Sequence, residues 1–349
     1  MSDAASTSTT EVVGRSFALS SLITSAVLIA LVTLPAVLPE FWTVNIFVRA
    51  MIFGIVALSL TFLAHYGGFI SLAQMVPAGV AGYTIAVTVP DAIPANGFQL
   101  PYGPAVALAL VLSTVAGLTI GAVAVRTREI YLLMITLAIA VSFYFFVQAN
   151  VEFLNGYEGI RNVMGPDILS VPLRTPAIFY HAVLAVSVAL YALVIYVSRA
   201  PLGLVLQGIR DNPRRISALG FNVALHRIVA FGLAGFIAGV GGVLLTFYNI
   251  GISPGTVSTH ATISILIIAV IGGLGHPIGA FIGAFIFTIF DTFAADIYDR
   301  DRFNTLIGAV FLTIVVASPD GIIGLIKRGN ALLARDRSPV SRSQTSIAP

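Results

Sequence analysis

Long apolar runs recur along the chain, most of them close to the roughly twenty residues a helix needs to cross the hydrocarbon core of a bilayer. They predict spans near Ala18–Leu38, Val44–Ala64, Phe69–Val89, Pro104–Val125, Glu129–Gln148, Ala177–Val197, Val223–Tyr248, Ser258–Ile271, Pro277–Phe293 and Phe303–Ile326. The eighth is short and polar at its start, as a broken or tilted element buried among its neighbours would be. All fifteen carboxylates stand outside the middles of these runs, with Asp91, Glu129, Glu152, Glu158, Asp291 and Asp296 at span ends or in loops. A basic, helix-like segment, Ala200–Arg227, hangs between the sixth and seventh runs. The pattern predicts an all-α membrane protein, a polytopic helical bundle of about ten transmembrane helices.

Composition agrees with that class. Hydrophobic residues make up 58% of the 349 residues and charged ones 9%, too few to clothe a soluble particle of this size. With no cysteine, thiolate metal sites and thiol nucleophiles are excluded. His65, His181, His226, His260 and His276 are scattered singly, without a His-Glu-x-x-His helix, so no metal site is expected. The one lysine, Lys327, is followed by Arg328, and a phosphate loop ending Gly-Lys-Ser/Thr cannot be written anywhere.

Charge orients the spans. With the amino terminus inside, thirteen basic residues fall on the inner side and five on the outer: Arg49, Arg161, Arg174, Arg300 and Arg302. Ten spans with both termini cytoplasmic satisfy that bias, and so does an eight-span chain in which Ser258–Phe293 is one buried hairpin. The net charge of +3 reads as membrane orientation, with no nucleic-acid binding expected. Ala18–Leu38 exceeds the apolar length of a signal peptide and has no small-x-small site before Pro35 and Pro39, so it is taken as the first span. The chain thus divides into a polar tail over residues 1–17, a membrane domain over 18–329 with a cytoplasmic loop over 199–222, and a second tail over 330–349. Both tails lack apolar periodicity and are expected to be disordered.

Within the loop, Asn212 can cap a helix whose first position is Pro213, and Gly220 can take the left-handed conformation that ends it. The result is a helix of about seven residues, roughly 10 Å long, carrying Arg214 and Arg215. Such a basic knob suits a partner protein; an ordinary positive-inside loop would also be basic. Glycine pairs four apart, Gly235 with Gly239 and Gly279 with Gly283, put small residues on one helix face for close packing. Gly272, Gly273, Gly275 and Pro277 mark a turn or break between two spans.

Polar residues in or near the runs are candidates to line a pathway: Ser71, Gln74, Thr136, Gln148 and Ser264, with Ser142, Tyr144 and Asn249 beside them. Gln74 leads, because an amide buried in lipid is costly without a partner. The loop Ala149–Pro176 mixes charge with aromatic residues, and Glu152, Tyr157, Glu158 and Arg161 are candidates for docking a binding protein.

Several ordered segments carry a resemblance. Gly203, Ile209-Arg210-Asp211-Asn212, Ala218-Leu219-Gly220-Phe221-Asn222-Val223, Ala230-Phe231, Ala238-Gly239 and Gly241-Gly242 resemble the core of branched-chain amino-acid ABC importer permeases, in particular the M-type subunit. Ser71-Leu72-Ala73-Gln74, the stretch Arg128 to Ala138, and Ile271-Gly272-Gly273-Leu274-Gly275 extend the similarity across roughly Phe62 to Phe293. It implies a transport subunit, not an enzyme, of the bacterial plasma (inner) membrane. Its partners would be a second, shorter H-type permease, two cytoplasmic ABC ATPases and an extracytoplasmic solute-binding protein. ATP and Mg would reside on the ATPases, with no cofactor in this chain. The loop after the sixth span resembles the coupling helix of that family, which assigns ATPase coupling to Arg210, Asp211, Asn212, Arg214, Arg215 and Gly220.

Where M-type permeases carry a Thr-Gly-Gly-x-x-Gly-Leu-like signature, this chain has Leu154-Asn-Gly-Tyr-Glu-Gly159-Ile. That departure leaves urea, short amides and other small solutes open beside aliphatic amino acids. An ion-coupled secondary transporter is the competing class; it needs an acid, base or cation cage inside the membrane.

Overall fold

A computed structural model describes residues 25–26, 29–90, 92, 99–127, 129–168, 171–173 and 175–297, with isolated positions 308, 312, 321, 322 and 324. The two tails, much of the first span and nearly all of the tenth lie outside the described residues. Five described helices are long and apolar enough to cross a membrane: Trp42–Gly67, Tyr102–Ala124, Tyr131–Ala149, Pro176–Arg199 and Val223–Asn249. Three shorter apolar helices, Met75–Thr88, Thr259–Gly272 and Gly279–Phe293, pack among them. The chain is a multi-pass helical membrane bundle.

The helices are numbered α1 (Trp42–Gly67), α2 (Met75–Thr88), α3 (Tyr102–Ala124), α4 (Glu129–Ala149), α5 (Pro176–Arg199), α6 (Pro201–Asp211), α7 (Pro213–Ala218), α8 (Val223–Asn249), α9 (Thr259–Gly272) and α10 (Gly279–Ile297). A helical stretch at 29–37 precedes them; the Tyr180 hydroxyl of α5 ties it down by donating to the Leu31 carbonyl at 2.7 Å. Helix starts follow local chemistry. Pro176, Pro201 and Pro213 occupy first-turn positions, where the missing N–H costs nothing. Asn212, Asn222 and Ser258 accept hydrogen bonds from the backbone N–H groups of Arg215, Leu225 and Ala261.

α1 and α8 form the centre, with 78% and 72% of their apolar windows buried inside the protein, against 22% for Tyr131–Ala149 at the edge. Glycines set the distances between backbones. A Cβ on Gly235 of α8 would lie 2.8 Å from the Cα of Gly117 on α3, and one on Gly242 would lie 2.0 Å from the Ala78 carbonyl oxygen on α2. In the α9–α10 hairpin, a Cβ on Gly272 would fall 1.8 Å from the Gly279 carbonyl oxygen. Gly235, Gly279 and Gly283 therefore serve backbone contact, as small residues do at membrane helix interfaces, and Gly239 makes room for the Ser113 side chain.

The predicted third span differs from its expectation. Helix begins at Met75 rather than Phe69, because Gly68 takes a left-handed conformation with φ of 73° and ends α1. Gly68 N–H donates to the Ala64 carbonyl and Phe69 N–H to the Leu63 carbonyl, closing the helix end. With 14 residues each, α2 and α9 are roughly 21 Å long and too short to cross about 30 Å of hydrocarbon alone. Irregular backbone at 68–74 is tolerable at such depth only because protein covers it.

Candidate functional site

Three places along one helix, α1, carry the polar chemistry: an elbow at its carboxyl end, a break just beyond it, and a cavity near its amino end. The elbow comprises α6 and α7, set against each other across Gly208 and Ile216. The expected seven-residue helix is present as the six residues of α7, capped by Asn212, and Gly220 ends it with φ of 89°. The amphipathic α6 ahead of it escapes a reading centred on the cap. Its buried face, Gly203, Leu206 and Ile209, anchors the elbow to the bundle.

The six coupling candidates separate into two roles. Asp211, Asn212, Arg214, Arg215 and Gly220 are exposed at the tip beside the exposed apolar Leu219 and Phe221. Arg210 turns back instead. Its guanidinium donates to the His65 carbonyl at the end of α1, and its side chain lies over Gly68, where a Cβ would come within 2.7 Å of its Cγ. The elbow thus rests on the very residue that terminates α1.

Beyond Gly68, three of the pathway candidates gather around the break. The Ser59 hydroxyl donates to Gln74 Oε1 at 3.0 Å, tying α1 to the start of α2. Thr136 Oγ1 on α4 accepts the Leu72 N–H at 3.1 Å, and Ser71 Oγ accepts that of Ala73 at 3.3 Å. Ser71, Gln74 and Thr136 are all buried, so in this structure they hold irregular backbone together at membrane depth. Phe69 fills the remaining space, stacked on Phe231 and covered by the Arg227 guanidinium 4.7 Å from its ring. The other two candidates lie elsewhere: Gln148 is half-buried near the end of α4, and Ser264 is on α9 at the cavity.

The cavity, about 200 Å³, lies between α1, α8, α9 and α10. Arg49 and Asp291 stand on its wall as an ion pair, their side chains 30% and 20% exposed. Asp291, expected at a span end, stands two residues before the end of the apolar stretch Gly279–Phe293 and faces the bundle. Arg49 is seven residues inside α1, next to the wide i→i+5 turns at Trp42–Val48. Sequence reading missed the pair because each charge was assigned to the aqueous end of its own run. The available signal was that Arg49 and Asp291 both fall within predicted spans and carry opposite charge.

The proposed docking residues lie at this same end. Glu152, Tyr157, Glu158 and Arg161 are exposed, and the backbone beneath them is fixed. Asn155, Gly156, Gly159 and Asn162 all have positive φ, and Asn155 Nδ2 donates to the Gly159 carbonyl at 2.8 Å. Strand β1 (Ile160–Arg161) pairs antiparallel with β4 (Gly251–Ile252), and a second short pair joins β2 (Asp167–Ile168) to β3 (Val171–Pro172). Gly159 packs so closely on the Ile252 carbonyl, 2.2 Å from a Cβ position, that no larger residue fits. The segment that departs from the resemblance is therefore a tight turn stitched to the chain just before the cavity. Among the described residues, no three His, Cys, Asp or Glu side chains gather to hold a metal ion.

A probable branched-chain amino acid transport permease protein LivM from Methanocaldococcus jannaschii is 25% identical over 239 residues, covering 62% of this chain and 67% of the relative. The high-affinity branched-chain amino acid transport system permease protein LivM of Escherichia coli is 22% identical over 308 residues, 82% of this chain and 71% of its own. A probable LivH permease of M. jannaschii is 30% identical over 189 residues, 52% of this chain and 53% of its own. No solved structure matches the chain. The family described as branched-chain amino acid transport system / permease component matches residues 42–315, which hold the elbow, the break and the cavity alike, and this chain belongs to that family.

Proposed function

We propose that this chain is the transmembrane permease subunit of an ATP-driven ABC importer that carries branched-chain, aliphatic amino acids into the cytoplasm by alternating access. It would pair with an H-type permease, two cytoplasmic ATPases and an extracytoplasmic solute-binding protein in a bacterial inner membrane, both termini cytoplasmic. ATP and Mg would be bound and used on the ATPases, in keeping with a sequence that offers no phosphate loop. Similarity to both LivM and LivH relatives supports a heteromeric pair of related permeases.

The observation that carries the mechanism is the seat of Arg210 on His65 and Gly68. An ATPase that closes on the exposed tip at Arg214 and Arg215 would push α6 against the end of α1. From there the displacement would reach the Ser59–Gln74 link and then Met75, which lines the cavity. Rigid elements in continuous contact can carry such a two-state motion.

The test is uptake by proteoliposomes holding the permease pair and ATPases, supplied with the binding protein. ATP-dependent entry of radiolabelled leucine, competed by isoleucine and valine, is expected. Competition by urea or short amides alone would replace the substrate. Entry without ATP, abolished by an ionophore, would replace the mechanism with ion coupling.

A further inference from the structure

The cavity wall joins two chemistries: a pair of opposite charges held between two separate helices, and an apolar surface. Arg49 and Asp291 are in contact through Nη2 and Oδ2. A guanidinium carries five N–H donors and a carboxylate about four acceptor sites, so this single contact uses a small part of what the two groups can bind. Phe53, Met75, Leu245, Ile268 and Phe287 form the apolar part of the lining, and the Arg49 guanidinium lies 5.4 Å from the Phe53 ring centroid. The exposed Gly255 and His260 stand at the edge, three and eight residues along the chain from the end of β4, which is stitched to the loop proposed for docking.

A purely structural ion pair fits this setting poorly. With side chains only 30% and 20% exposed, the two charges lose part of their hydration, and apolar residues of similar size commonly stabilise as well or better. Intramembrane charges instead mark sites that meet a polar solute. Resting on the permease reading above, we infer that Arg49 and Asp291 form a receptor for a zwitterion. Arg49 takes the α-carboxylate, Asp291 takes the α-ammonium, and the aliphatic side chain lies against Phe53, Met75, Leu245, Ile268 and Phe287.

The charge accounting favours such a guest. An α-amino acid at neutral pH brings one cation and one anion, so opening the Arg49–Asp291 pair exchanges one ion pair for two charge-assisted contacts and leaves the site neutral. A neutral amide or urea offers no separated charges to compensate the opened pair. A bare carboxylate or a bare amine leaves one of the two side chains unpaired in the membrane, which is costly. The cavity would therefore select amino acids over their deaminated or decarboxylated analogues, a second filter after the binding protein.

The experiment uses the complete reconstituted transporter, with assembly of every variant read by co-purification of the four subunits. Wild-type uptake of leucine comes first; its absence would remove the permease reading, and this inference with it, before any variant is made. In Arg49→Gln/Asp291→Asn, which leaves neither charge unpaired, leucine uptake at limiting substrate should fall at least tenfold. Asp291→Asn alone should raise the inhibition of leucine uptake by 4-methylpentanoate relative to wild type, and Arg49→Gln alone should do so for 3-methylbutylamine. The swapped pair, Arg49→Asp/Asp291→Arg, restores the ion pair but reverses the receptor, and uptake should stay at least tenfold low. Wild-type uptake in the swapped pair, or in the doubly neutral variant, would show the pair to be structural and overturn the inference.

Discussion

The two ends of α1 differ in what they expose. At the elbow end, charge lies outside the bundle: Arg214 and Arg215 stand in solvent on a six-residue helix, and Arg210 alone reaches back to the end of α1. At the cavity end, charge lies within it, with Arg49 and Asp291 paired between membrane helices. About 24 Å of α1 separates Arg49 from His65, at 1.5 Å per residue. An exposed basic knob can be pushed by a partner but selects no small solute; a partly enclosed ion pair can select a solute but offers a partner no lever. On the proposed function, the difference gives force to one end and recognition to the other, with the break at Gly68–Gln74 between them.

The largest expected effect on transport breaks the elbow alone. Arg214→Glu/Arg215→Glu should cut leucine uptake roughly tenfold or more, about 1.4 kcal/mol in apparent coupling, while the protein still reaches the membrane. Fractionation with a transport assay reads both quantities, and normal uptake would remove the coupling assignment. Next is the wall that carries Asp291. In Gly283→Leu the new Cβ would meet the Ile268 carbonyl oxygen at 2.0 Å and the Gly272 nitrogen at 2.7 Å, both backbone atoms that cannot swing aside. A loss of about 3 kcal/mol is expected, seen as a lowered unfolding temperature in detergent; an unchanged midpoint would deny the close hairpin.

Smaller changes sharpen the middle. Thr136→Val removes the acceptor for the Leu72 N–H and should cost about 1 kcal/mol, with faster hydrogen exchange at residues 69–74 as its signature. Exchange rates equal to wild type would show that another group supports the break. The least effect is expected from Gly220→Ala. Its φ of 89° disfavours a side chain, but no atom lies within 4 Å of the Cβ position, so about 1 kcal/mol of local strain is the whole penalty. A larger loss in thermal unfolding would mean that Gly220 packs more closely than this.

The elbow was legible in the sequence because its signals are local. Asn212, Pro213 and Gly220 specify a cap, a first turn and a stop within nine residues, and each behaves accordingly. Gly235, Gly239, Gly279 and Gly283 likewise announce close helix packing by spacing alone. The cavity depends on residues 242 positions apart, and no periodicity reports that Arg49 and Asp291 meet. The third span was misjudged at its start for a related reason. Phe69, Ile70 and Leu72 are as apolar as a helix requires, so hydropathy runs through the break, and the left-handed Gly68 with the Thr136 hydroxyl that receives Leu72 N–H decides where helix ends. Gln74 stands out in the sequence as a pathway candidate because a buried amide needs a partner, and that partner, Ser59, sits on a different helix.

The most direct test of this division of labour is the number of ATP molecules hydrolysed per leucine imported by the reconstituted complex carrying Arg214→Glu/Arg215→Glu. The account predicts a ratio well above wild type, raised equally for leucine, isoleucine and valine, because the lever is damaged and the receptor is intact. A ratio equal to wild type, or one that changes for leucine but not for valine, would contradict it.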